Sequence, residues 1–150
     1  MRTRLVLPLA LLAAAGCDPL SQMYVRQGLQ PRPQADCARQ ALEASPLVES
    51  VLGPQQASGS WGYALTFRDT VTDGLPTLGN KLQADDKGSL AVVFSWLGTE
   101  RPQPSVAARM QSVAAGVLAQ VRAACAPDAP PAPVECFYGG WHGRSACAAH

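Results

Sequence analysis

The chemistry this sequence can offer is concentrated in its cysteines and its C-terminal tail. Apart from Cys17, the cysteines are Cys37, Cys125, Cys136 and Cys147, and the two histidines are His142 and His150. Cys136, His142, Cys147 and His150 carry the nitrogen and sulfur donors that a tetrahedral zinc ion takes. Their spacing matches no zinc finger, and in an oxidising compartment the same thiols pair with each other. The disulfide reading is preferred, and no metal or cofactor is expected. The tail also holds Phe137, Tyr138, Trp141, His142 and Arg144 within a glycine-bearing stretch. Aromatics and arginine are the usual anchors of binding surfaces, and a cross-linked loop loses little entropy on binding. The competing and preferred reading is that the aromatics fold back over an open sheet face.

Little else points to catalysis. There is no Gly-x-Ser-x-Gly, no His-Glu-x-x-His and no phosphate-cradling glycine loop. Asp85-Asp86 reads as a solvated turn. Asp69 and Asp73 lack the ligand spacing of a calcium loop. The chain has 12 basic and 11 acidic residues. No basic stripe interleaved with aromatics is present, so nucleic acid is not an expected partner.

The N-terminus supplies the compartment. Arg2 and Arg4 precede an apolar run from Leu5 to Ala15, interrupted by Pro8. A basic head and short apolar core make a secretory signal. The run is far short of the roughly 20 apolar residues of a membrane span. It leads into Ala14-Ala15-Gly16-Cys17, which resembles the lipobox of bacterial lipoproteins, with Ala14 where that family most often has leucine. The resemblance covers residues 1–17 alone. It implies cleavage before Cys17 and lipidation of that cysteine, leaving residues 1–16 as the signal peptide. It further implies a lipid-anchored protein of the bacterial cell envelope, on the periplasmic or surface side. Asp18 is similar to the inner-membrane retention signal of enterobacterial lipoproteins; other bacteria use other rules, so the choice of membrane stays open. The plainer alternative is an ordinary signal cut at a small residue, with Cys17 a free thiol.

An exported chain with four further cysteines is expected to hold two disulfides. Three connectivities are possible, and the elements that carry the cysteines favour one of them. Residues 17–35 read as the lipidated cysteine and a tether, punctuated by Pro19, Gly28, Pro31 and Pro33. A flexible segment of that length spans roughly 20–25 Å. A packed, irregular arm around Met23, Tyr24 and Val25 is the alternative. Asp36 to Ser45 reads as a short helix capped by Asp36, with Cys37 on its weakly apolar side.

Strands are expected at Leu47–Leu52, at Trp61–Phe67 with large side chains alternating against small ones, at Leu78–Ala84 and at Leu90–Leu97. A turn at Asp85–Gly88 joins the last two. Ser105 to Cys125 is the longest helical pattern, with Val106, Met110, Val113, Ala114, Val117, Leu118 and Val121 in a stripe. Cys125 continues that stripe, which pairs it with Cys37 and leaves Cys136 with Cys147.

The expected fold is therefore α+β: a two-layer domain over residues 36–125. An antiparallel three- to four-stranded meander packs on a short N-terminal and a long C-terminal helix, stapled by disulfides. Residues 126–150 form a proline-rich extension and a disulfide loop. The expected function is that of a non-catalytic binding or assembly component, anchored to the membrane, with a protein, glycan or lipid partner. A small hydrolase or zinc enzyme around His142, and a structural spacer, are the alternatives.

Overall fold

The computed structural model describes residues 20–68, 77–140 and 143–147. The expected signal over residues 1–16, with Cys17, Asp18, Asp69, Asp73, Trp141, His142 and His150, lies outside them.

The order of elements is β1 (Leu20–Gly28), α1 (Ala35–Glu43), β2 (Val48–Ala57), β3 (Ser60–Phe67), β4 (Gly79–Ala84), β5 (Ser89–Leu97), α2 (Pro104–Cys125), β6 (Val134–Gly140) and β7 (Ser145–Ala146). One antiparallel sheet holds all seven of these strands in the order β2-β3-β4-β5-β1-β6-β7. Its first four members are the expected meander. The other three come from segments read as tether and tail, which makes the sheet wider than expected.

The largest correction concerns the tether. Leu20–Gly28 is a strand that pairs with β5 on one side and β6 on the other. Met23 and Val25 face inward and are buried, while Tyr24 and Arg26 face the other way. Two inward aliphatics give a weak local signal, and the pairing that makes them a strand is long-range. Leu29 and Pro33 are also buried, so the link to α1 packs on the domain.

Both helices cover one face of the sheet. That face presents Trp61, Tyr63, Leu65 and Phe67 of β3, Leu82 of β4, and Leu90, Val92, Phe94 and Trp96 of β5. Burial of such side chains contributes about 1.5–3 kcal/mol each. The aromatic polar atoms are satisfied: Trp61 Nε1 donates to the Pro33 carbonyl at 3.2 Å and the Tyr63 hydroxyl to the Ala35 carbonyl at 3.0 Å. From α2, Met110, Ala114, Val117, Leu118 and Val121 are buried as the stripe requires.

Several boundaries move. Gln34 and Gln103, without side-chain cap bonds, stand at the helix N-caps. Asp36 instead lies in the first turn, where its charge suits the helix dipole. Ser105 follows Pro104, whose fixed φ suits the first helical turn. β2 runs on through Gly53-Pro54 to Ala57 with register shifts between Val48/Ser50 and Leu52/Gln55. Bulges of this kind let an edge strand carry a proline.

Helix α1 has nine residues, too few to persist alone in water. It is held by the Cys37–Cys125 disulfide and by Gln120 Nε2, which donates to the Ala41 carbonyl at 3.0 Å. Cys136–Cys147 closes the second disulfide and joins β6 to the residue after β7.

Candidate ligand-binding face

The second face of the sheet is built from the residues that alternate with the core. It presents Gln22, Tyr24 and Arg26 from β1, Gly62 and Ala64 from β3, and Gly79, Lys81 and Gln83 from β4. Ala91, Val93 and Ser95 come from β5, and Glu135, Phe137 and Gly139 from β6. Among the described residues no helix covers this face. Its two halves differ in character.

Over β1 and β6 an aromatic stack closes the surface. The Tyr24 and Phe137 rings lie 4.9 Å apart and 6° from parallel. The Arg144 guanidinium sits 3.9 Å from the Phe137 centroid, and that of Arg26 at 5.3 Å. Cations over an aromatic face contribute about 0.5–1 kcal/mol at exposed sites. Arg26 also pairs with Glu135 at 2.7 Å, on side chains that are 35% and 53% exposed. The Tyr24 hydroxyl donates to Gln22 Oε1 at 2.6 Å, and Gln22 Nε2 donates to Ser95 Oγ at 3.1 Å. Burial pushes the Tyr24 phenol above its ordinary value.

Over β3 and β4 the surface opens into a groove of about 550 Å³. The small residues Gly62, Ala64 and Gly79 leave the space, because none projects more than a methyl group. Gln22, Gln55, Gln83 and Ser95 surround it with amide and hydroxyl groups, and Lys81 adds a cation. Amides offer both donors and acceptors. Trp61, Ala57, Ala64 and Ala84 add apolar surface and Asp85 a carboxylate, so the groove can meet a ligand that is both polar and apolar without committing to one charge.

The tail residues singled out from sequence divide. Phe137 and Tyr138 are neighbours in a strand and so point to opposite faces. Phe137 joins Arg144 on the open face. Tyr138 turns to the helix side, edge-on to Trp96 at 6.4 Å and under Arg101 at 4.9 Å. Burial raises its phenol too, with a smaller opposing pull from Arg101. Cys136 and Cys147, offered as zinc ligands, are bonded to each other and hold no thiolate for a metal. Among the described residues no cluster of three histidine, cysteine or acidic side chains could hold a metal ion.

The groove residues escaped sequence reasoning because they are the small and polar partners in each alternation. Their signal is the other half of the pattern in Trp61–Phe67 and Gly79–Ala84. Compared with known proteins, the chain matches no family model, no curated protein and no solved structure. Among the described residues no helix is long and apolar enough to cross a membrane.

Proposed function

We propose that this chain is a lipid-anchored protein of the bacterial envelope, held through Cys17, and that its disulfide-stapled domain is a binding or assembly component. The reading of the anchor rests on the lipobox-like Ala14-Ala15-Gly16-Cys17. The reading as a binding component rests on one observation: the sheet face that no described helix covers opens into a groove of about 550 Å³. A volume of that size is in the range of ligand sites. Its amides, Lys81 and Asp85 lie among apolar surface, which suits an extended partner with both polar and apolar groups, a glycan strand or a peptide.

The test is chemical-shift mapping of the domain against panels of envelope glycans and extended peptides, with Gly79→Tyr as the blocked form. A Cβ at Gly79 would meet nothing within 4 Å, so the new ring fills the groove without forcing the backbone. Shifts at Gly62, Lys81 and Gln83 that vanish in Gly79→Tyr support the reading. Binding that survives the block, or a substrate turned over by the domain, overturns it.

A further inference from the structure

The five large apolar side chains that stand exposed among the described residues are Leu20, Leu52, Leu78, Leu97 and Val134. Three of them share one end of the sheet. Leu20 opens β1 and lies directly opposite Leu97, the last residue of β5. Leu78 precedes β4, and its N–H donates to the Ser95 carbonyl at 2.7 Å, two residues before Leu97. Their exposures are 47%, 64% and 52% for Leu20, Leu78 and Leu97. None of the three is needed by the core, and no described element shields them.

The same end is where the chain comes from. Only Asp18 and Pro19 separate Cys17 from Leu20. Three residue steps reach at most about 11 Å. The strand that begins at Leu20 is fixed in the sheet by β5 and β6, so it cannot pay out more length. The opposite end of the sheet carries the polar turn Asp85-Asp86-Lys87-Gly88.

We infer that Leu20, Leu78 and Leu97 form a rim that sits on the bilayer surface, seating the domain upright on the membrane with the Asp85–Gly88 turn outermost. The inference rests on the proposed lipidation of Cys17 and adds what the anchor does to the domain. An acylated Cys17 brings this end within about 11 Å of the lipid. At that range three half-exposed leucines exchange water for the interfacial region, as the apolar residues of surface-bound proteins do. The groove on the open face then stands roughly perpendicular to the membrane, reachable from the side.

The test uses the full mature chain purified from membranes and reconstituted in phosphatidylethanolamine–phosphatidylglycerol vesicles. Spin labels are placed singly through Leu78→Cys, Leu97→Cys and, at the far end, Asp86→Cys. The four other mature cysteines are held in disulfides, so an added thiol labels selectively. Intact mass of the same samples reports the acyl groups. The expected result is acylated protein in which labels at 78 and 97 are severalfold more accessible to oxygen, relative to a water-soluble nickel chelate, than the label at 86. Acylated protein with all three labels equally water-exposed overturns the rim and leaves the anchor standing. Protein without acyl mass overturns the anchor and the rim with it.

Discussion

Replacing Met23 by alanine tests the central claim about the N-terminal segment. Met23 is fully buried and lies opposite Phe94 on one side and Tyr138 on the other. Removing its side chain leaves a cavity between two rings that are themselves fixed by the sheet. Methionine to alanine in such a place costs about 2–5 kcal/mol, and the confined site argues for about 3. Three residues on, Arg26 occupies the open face of the same strand, with its ion pair to Glu135 partly exposed to water. Surface pairs of this kind are worth about 0–1 kcal/mol and the contact with the Phe137 ring about 0.5–1, so Arg26→Ala should cost about 1 and clearly less than Met23→Ala. Guanidinium unfolding with disulfides intact, followed by tryptophan fluorescence, measures both. Trp61 and Trp96 are buried and report on the core. A drop of about 3 kcal/mol for Met23→Ala beside a small one for Arg26→Ala is the expected result, at unchanged m-value. Two near-zero effects would return residues 20–28 to the status of a tether and refute the sheet order.

Other outcomes follow from the same structure. Replacing both Cys37 and Cys125 by alanine opens a loop with a sequence separation of 88, against 11 for Cys136 and Cys147. On the chain-entropy model the losses are about 4.6 and about 2.8 kcal/mol, so denaturation midpoints should rank the first pair as the larger loss. Burial raises the phenols of Tyr24, Tyr63 and Tyr138 above 10.0. The folded protein then keeps protons that the unfolded chain has lost, so stability holds below about pH 10 and falls as pH rises through the folded values. Phenolate absorbance titrated in native and denatured protein checks the sign, and a native curve at or below the denatured one would refute it. Gly88 has φ +80°, and a Cβ there would meet the Gln30 amide and the Leu29 carbonyl. Gly88→Ala should cost about 1–2 kcal/mol from the left-handed backbone alone, read in the same denaturation assay.

What was legible in the sequence had short-range causes. The period of two in Trp61–Phe67 and Leu90–Trp96 comes from one strand's own pleat, and the stripe of α2 from one helix's own turn. Those elements stand where they were expected. The disulfide partners were legible as well, because two amphipathic helices that share a face bring their inward cysteines together. The role of Leu20–Gly28 was not legible. Its inward residues are Met23, Val25 and Gln27, and the buried Gln27 is satisfied by the Ala132 carbonyl at 2.6 Å, a partner 105 positions away. No local pattern announces a contact of that kind. The open face was missed for a related reason: a groove is made by what glycine and alanine leave empty, and small residues leave no mark in a hydrophobic pattern. The tail aromatics were found, but strand pairing sent Tyr138 to the side opposite Phe137.

The position of β1 also decides how the protein bears mechanical load. A pull on the chain before Leu20 acts along the axis of a strand flanked on both sides, by β5 from Leu20 to Gly28 and by β6 from Ser21 to Gln27. Force along a strand loads its cross-strand hydrogen bonds in shear, so they resist together. An edge strand such as β2, drawn from one end across the ladder, would instead unzip one bond at a time. If Cys17 carries the proposed anchor, load applied through it enters at the part of the sheet hardest to peel away.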